Sequence, residues 1–322
     1  MSQVTPYLFV PAIREKNLSK ALEISKKSTS KIIFDLEDSV GDLNDIDVSG
    51  QLKEKARQML FEFLKNNPMN FLIRTNDVNS IFWEQDKSFL VQLANELNLD
   101  DYCDGIVMAK TNNDEEVIRF MNWWNQNSNM ELSIIPLIET VEGLKNLDEI
   151  ANVKQVVGLV FGHHDYFLDH SLVENKIVFP VPSSPLNSEV YREILDRFVV
   201  AKNQSNKDLT IIDGVYSYLY DIEGIKNIGS YLYSLGPNIS WGKLVLNPKQ
   251  FDALNEVNDS SSFDRTILTS SDDNFDDNKK LELANNLSSR NTVHSDLKVT
   301  RIKDRYVSPQ ERSLAEKYLD SK

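Results

Sequence analysis

Cysteine is almost absent from this 322-residue chain. Cys103 stands alone, so no internal disulfide can form and stability has to come from packing. Basic residues are outnumbered, with 35 Lys and Arg against 49 Asp and Glu, and the resulting formal charge of −14 repels phosphate backbones and anionic lipid. No long Lys/Arg cluster overrides that field, which argues against nucleic acid as a partner. Long apolar runs are missing as well. Nothing approaches the roughly 18 uninterrupted apolar residues that a spanning helix needs, which argues against a membrane. The apolar stretch in MSQVTPYLFVPAIREK is too short and too soon broken for a signal peptide. The expectation is a cytoplasmic protein.

Apolar material is nevertheless plentiful, at 41% of residues, which rules out a wholly disordered chain. It comes in short β-branched runs at a regular beat: residues 7–12, 31–38, 70–76, 105–110, 132–140, 156–165, 210–216 and 242–248. Most are nearly continuous rather than alternating, as parallel strands covered on both sides require. Between them lie stretches of helical spacing, among them Leu18, Ala21, Leu22 and Ile24, then Ala56, Met59, Leu60 and Phe63. Further helical stretches are predicted over 89–97, 115–124, 143–151, 188–202 and 224–233. Eight strand–helix units over about 250 residues match an α/β fold of the (β/α)8 TIM-barrel type. A doubly wound open sheet competes, weakened by the lack of a Gly-x-Gly-x-x-Gly after the first strand.

The barrel is expected over residues 1–258. A Ser/Asp-rich linker follows over 259–280, then a C-terminal helical flap over 281–322, with helices predicted at 279–287 and 309–319. The longest connection, 166–209, carries FPVPSSP at 179–185, whose prolines fix an extended loop that either walls a site or is surface filler.

In a barrel the loops after the strands build the active-site face, so strand ends are the informative positions. Here they are charged: Arg14 after the first, Asp35, Glu37 and Asp38 at the second, Arg74, Asn76 and Asp77 at the third, Lys110 at the fourth, Glu139 at the fifth, and His163, His164 and Asp165 at the sixth. Glu139 and Asp165 lie on adjacent strands. Two carboxylates that close either take a hard divalent cation such as Mg2+ between them or cap helices and face solvent. Arg74 closes an apolar strand, which suits a ligand for a substrate carboxylate or oxyanion, or an ion pair with Asp35, Glu37 or Asp38. Arg14 and Lys110 either hold an anionic group or neutralise the rim. His163 and His164 lack the helical i, i+4 spacing of a zinc site and have no second cysteine to help them. One of the two is expected to act as an acid/base or hydrogen-bonding group, assigned to His164, while the other packs in the wall.

Nine segments in order resemble the HpcH/HpaI aldolase and citrate lyase family, in its citrate lyase beta subunit and malyl-CoA lyase branch. They are LFVPAIRE at 8–15, IIFDLEDSV at 32–40, KEKAR at 53–57, LIRTND at 72–77, GIVMAK at 105–110, PLIETVEGLKNLDEIA at 136–151, GLVFGHHD at 158–165, IDGVYSYLYDIEG at 212–224 and GKLVLNPKQFDALNE at 242–256. The resemblance implies Glu139 and Asp165 as Mg2+ ligands and Arg74 as the residue that binds the oxo acid and stabilises an enolate oxygen. It implies Glu37 and Asp38 as partners of water on the metal, and places Arg14, Lys53 and Lys110 near substrate or coenzyme A. It further implies a carbon–carbon lyase or aldolase acting on a 2-oxo or 3-hydroxy acid, with or without a CoA thioester, assembled as a homo-oligomer, a trimer or hexamer. A specialised aldolase on a non-CoA substrate and a barrel that only binds are the alternatives. The sequence departs from the family in having Ala109-Lys110 for Pro-Lys, Asn247-Pro248 for His-Pro, and Val307 and Ser308 where the lyases' lid carries an aspartate before a proline.

Overall fold

Strands apolar on both faces have to be covered on both, and the computed structural model shows them closed on themselves and wrapped in helices. It describes residues 4–26, 31–41, 45–97, 102–173, 186, 188–236, 238–257, 277–288, 300–302 and 305–320. The order is β1 (Thr5–Pro11), α1 (Glu15–Ser25), β2 (Lys31–Asp35), α2 (Ile46–Asn66), β3 (Phe71–Thr75), α3 (Trp83–Leu97), β4 (Cys103–Met108) and α4 (Asp114–Asn127). Then come β5 (Ile134–Ile138), α5 (Val141–Lys145), α6 (Leu147–Asn152), β6 (Gly158–Phe161), α7 (His163–Val173), α8 (Glu189–Gln204), β7 (Thr210–Asp213), α9 (Ile222–Leu235), β8 (Ser240–Val245) and α10 (Pro248–Asn255). The C-terminal segment adds α11 (Asp277–Ser288), the antiparallel strands β9 (Thr300–Ile302) and β10 (Arg305–Val307), and α12 (Pro309–Asp320).

β1 to β8 form one closed parallel barrel in sequence order, sealed where Thr5 pairs with Gly242. This is the (β/α)8 architecture expected. Side chains alternate along each strand, so one set fills the barrel and the other meets the helices. The inner set is a plug of Tyr7, Ile33, Leu72, Val107, Ile135, Leu137, Val160, Ile212 and Leu244. The outer set joins the helices' apolar stripes in the main core, with Trp124, Tyr191, Phe198 and Phe251 fully buried.

Polar residues at helix starts set the turns out of the barrel. Asn113 accepts from the amide of Glu116 to begin α4, and Asp221 accepts from that of Gly224 to begin α9. Asn247 accepts from the amides of Lys249 and Gln250, Pro248 occupies the first turn of α10, and Asn247 Nδ2 donates to Leu219 O at 2.6 Å. The Asn-Pro of the last strand is thus a helix cap and a loop tie.

Several boundaries differ from expectation. The sixth strand stops at Phe161 and α7 starts at His163, so Asp165 sits in the first turn of a helix, not at a strand end. The second strand stops at Asp35, which leaves Glu37 and Asp38 on the loop. The helical stretch at 143–151 is split at Asn146, and the long connection contains α7 before α8. FPVPSSP lies outside the described residues, as do residues 259–276 of the expected linker, whose last four residues belong to α11. The flap is not purely helical. Its strand pair was not legible, and it has a small core of Ala284, Val307, Ala315 and Tyr318, while Leu314 enters the main core.

On the outer face, the fully buried Lys243 donates to Asp213 Oδ2 at 2.6 Å. Removing one partner of such a pair strands a charge without solvent. Lys243→Ala should lower the unfolding free energy by about 3–5 kcal/mol in urea denaturation. A loss below about 1 kcal/mol would show that the pair stabilises nothing.

Candidate active site

Going two residues up the barrel from the apolar plug, the same inward register becomes charged. Ile33 is followed by Asp35, Leu72 by Arg74 and Leu137 by Glu139, and these line a cavity of about 280 Å3 at the C-terminal mouth of the barrel. Asp35 and Arg74 are register partners across β2 and β3. Their side chains therefore meet as a fork, with Arg74 Nε and Nη2 donating to the two oxygens of Asp35, each at 2.7 Å. Nη1 pairs with Glu37 Oε2 at 3.0 Å, and the guanidinium lies over the Phe9 ring at 4.6 Å. Of the two alternatives for Arg74, the ion pair is the one the structure displays. Arg74 is ion-paired along one edge, and one N–H on each terminal nitrogen stays outside these bonds on a side chain that lines the cavity.

Lys110 completes the positive side. It follows β4 in a left-handed backbone conformation, φ 51°, unusual for a residue with a side chain. That turn aims its amide at Glu139 Oε1 (2.8 Å) while Nζ reaches Glu37 Oε1 (2.7 Å). Arg74 and Lys110 thus serve five carboxylates: Asp35, Glu37, Asp38, Glu139 and Asp165. Burial would raise Glu37, but the charges of Arg74 and Lys110 bring it below the usual range. The others on the rim are under-compensated. Burial and the charge of Asp165 push Glu139 upward, burial lifts Asp165 to about 6 against the pull of Lys110, and burial with the charges of Glu37 and Asp165 lifts Asp38 to about 8.

This surplus is the test of whether a cation fits, and it does. Glu139 directly follows β5 and Asp165 sits in the first turn of α7, just beyond the neighbouring β6, and Gly162 lies so close to Glu139 that a Cβ there would stand 2.6 Å from Oε2. The donors are hard oxygens. Among the described residues no three His, Cys, Asp or Glu side chains gather where they could hold a metal ion, which excludes a closed zinc site and leaves a pair of carboxylates, the number Mg2+ takes when water or substrate oxygens complete its shell.

The two histidines have different surroundings, and both line the cavity. His163 packs between Phe161 and Tyr191, its Nδ1 has no partner among the described residues, and burial pushes the ring's pKa well below the usual histidine value. His164 Nε2 lies 3.1 Å from Ser217 Oγ and 3.9 Å from Glu311 Oε1, and its ring stacks on Tyr306. Two basic residues fall elsewhere. Lys53 Nζ donates to Leu36 O (2.8 Å) and Glu37 O (2.7 Å), which places it under the acidic loop, outside the barrel-mouth cavity and in an adjoining one that it lines with Glu37 and Asp38. Arg14 is exposed at the start of α1, also outside it.

Sequence reasoning missed several residues that build the site. Asp86, fully buried, accepts from Arg57 Nε, from Asn76 N and from Asn76 Nδ2, which in turn donates to Leu36 O. This locks the loops after β2 and β3 together. Tyr306, Ser308, Pro309 and Gln310 of the C-terminal segment wall the cavity. The cue available was Ser308–Glu311, the Ser-x-x-Glu of a capping box.

The family model for HpcH/HpaI aldolase/citrate lyase matches residues 7–248. No curated protein sequence matches the chain. Solved structures share the fold. RipC from Yersinia pestis aligns at TM-score 0.56 and 21% identity, covering 79% of this chain and 94% of that one. Protein CitE from Mycobacterium tuberculosis, in complex with magnesium and pyruvate, aligns at TM-score 0.60 and 20% identity, covering 84% and 97%. CitE with magnesium, acetoacetate and coenzyme A aligns at 0.57 and 18%, covering 99% and 97%. Among the described residues no helix is long and apolar enough to cross a membrane.

The Asp35–Arg74 fork makes a prediction about pH. Burial alone would raise Asp35, yet Arg74 holds its carboxyl down at about 2. A lowered folded-state value contributes stability that is complete above the unfolded value near 4 and is lost as pH falls toward 2. Wild type should exceed Asp35→Asn by about 2–3 kcal/mol or more in urea at pH 6, and the gap should shrink by about 1–2 kcal/mol at pH 2–3. A gap that did not change with pH would contradict the fork.

Proposed function

The chain belongs to the HpcH/HpaI aldolase/citrate lyase family, and on that premise we propose that it is a Mg2+-dependent carbon–carbon lyase or aldolase acting on a 2-oxo or 3-hydroxy acid. The observation that carries this reading is the pairing of two under-compensated carboxylates, Glu139 and Asp165, with a guanidinium locked in place beside them at the mouth of one cavity. Glu139 and Asp165 would hold the ion. When bound, it supplies positive charge that polarises a 2-oxo carbonyl.

The chain's own groups do the rest. Asp35 and Glu37 hold Arg74 so that its two remaining N–H groups are fixed before substrate arrives, and a donor that need not reorganise stabilises the oxygen charge that develops as the adjacent C–C bond is made or broken. Lys110 anchors Glu37, and Lys53 supports the loop that carries Glu37 and Asp38. His164 is the residue proposed to carry a proton, with Ser217 Oγ as the partner of its Nε2. Phe9, Leu137, Val215, Leu244 and Leu246 give the cavity an apolar wall that excludes water from the reacting carbons. Support also comes from the structural neighbours bound to magnesium with pyruvate or acetoacetate. The barrel with a C-terminal flap and a trimeric or hexameric assembly belong to the same proposal.

One observation favours a free acid over a CoA thioester. Tyr306, Ser308, Pro309 and Gln310 form one wall of a space of about 280 Å3, which suits a small acid, whereas a thioester has to lead out past this segment. Saturable binding of coenzyme A at micromolar levels would reverse that preference.

Glu139→Gln should abolish Mg2+ binding in calorimetry, and unchanged binding would refute the metal assignment. Arg74→Lys should keep Mg2+ binding and lower turnover of the oxo acid found by screening by about 10²–10³-fold, since a lysine cannot make the fork and still face the substrate.

A further inference from the structure

The two carboxylates of the proposed metal site are oriented by hydrogen bonds from very different parts of the chain. For Glu139 the donor is the amide of Lys110, which holds Oε1. For Asp165 it is the carboxamide of Gln310 in the first turn of α12, whose Nε2 donates to Oδ1 at 2.9 Å and also lies 3.3 Å from Asp38 Oδ2. Among the described residues no side-chain or backbone donor reaches Glu139 Oε2 or Asp165 Oδ2. Each carboxylate is thus held by one oxygen and leaves the other available.

Gln310 is held there by its own neighbours. Ser308 and Glu311 form a reciprocal capping box, Ser308 N donating to Glu311 Oε2 and Glu311 N to Ser308 Oγ, both at 3.1 Å and both residues buried. Just upstream, Tyr306 N donates to Ser217 O at 2.8 Å and the Tyr306 ring stacks on His164. Downstream, Leu314 is buried in the main core. The sense of the amide is also determined: the NH2 group faces two carboxylate oxygens, and the reverse sense would set Oε1 against both.

We infer that Gln310 is a positioning residue for the cation site, which it serves by fixing the Asp165 carboxylate from the chain's own C-terminal segment. The inference rests on the metal reading given above. A neutral carboxamide suits the place because it orients Asp165 without adding charge to an over-negative rim. Hydrogen bonds from outside the ligand set govern metal affinity by holding ligand geometry, and removing one lowers affinity about 10- to 100-fold. Linkage makes the effect reciprocal. If docking of this segment raises cation affinity, a bound cation stabilises the docked segment by the same factor.

The test uses the full chain and Mn2+ as the probe, with binding measured by calorimetry, the bound ion followed by electron paramagnetic resonance, and hydrogen exchange read over residues 305–320. In the wild type, Mn2+ should bind and slow exchange in that segment. Gln310→Met keeps length and volume but has no donor. It should weaken Mn2+ binding by about tenfold or more, alter the spectrum of the bound ion, and lose most of the metal-induced protection. Ser308→Ala loosens the start of α12 while keeping the carboxamide, so it measures the effect of loosening alone. A loss in Gln310→Met well beyond that baseline supports the inference. Wild-type affinity and spectrum in Gln310→Met, or a loss no greater than in Ser308→Ala, would overturn it and leave the metal site standing. Absence of Mn2+ and Mg2+ binding in the wild type would instead overturn the metal reading, and this inference with it.

Discussion

Five carboxylates brought to one end of a barrel repel one another, and the guanidinium of Arg74 is what lets them stay. It makes a two-pronged bond to Asp35 and a third contact to Glu37, so two neighbouring strands and the loop beyond them are clamped by one side chain. Lys110 continues the chain of charge from Glu37 to Glu139 through its ammonium and its backbone amide. Each of these cations is committed to holding acids in place. Because neither cation balances Glu139, Asp165 and Asp38, the rim keeps a net demand for positive charge. That demand is the physical basis of the proposed cation site.

Rigidity at the rim is bought from below and from the side. The plug beneath it is apolar and filled, which gives the charged layer a floor without water. Laterally, Asp86 collects Arg57 and Asn76, and Asn76 reaches back to the carbonyl of Leu36, so the loops bearing Glu37 and Asp38 cannot move independently of β3. The C-terminal segment contributes the last wall. It has its own small core but is tied to the barrel through Leu314, through Tyr306 on His164, and through Gln310 on Asp165.

The barrel was legible because parallel strands covered on both sides must be apolar throughout, and all eight runs became strands. Charged strand ends were legible for the same reason, since a charge that ends such a run can only go to a rim. What could not be seen was direction and reach. That Asp35 would be the fork partner of Arg74 depended on register, which spacing does not supply. Lys53 and Lys110 look alike in sequence, yet one turned under the loop and the other into the rim, because α2 faces the barrel wall while the turn after β4 is left-handed. His163-His164-Asp165 read as the end of a strand because Phe161 and the residues before it are apolar, and the helix start was hidden in a stretch with little apolar periodicity. Gln310 was the least accessible of all, since nothing local marks a glutamine that acts on a residue so distant in the chain.

That last contact spans 145 residues. The groups that make up the acidic rim, from Asp35 to Asp165, all precede residue 166 of a 322-residue chain, whereas the side chain that reaches Asp165 lies near its far end. During synthesis the rim therefore emerges from the ribosome well before the segment that covers it, and before β8 can close against β1. Contacts this distant form late and slowly compared with neighbouring strand–helix pairs. The C-terminal segment is made last, so its contact with Asp165 can form only after every acid of the rim has been synthesised.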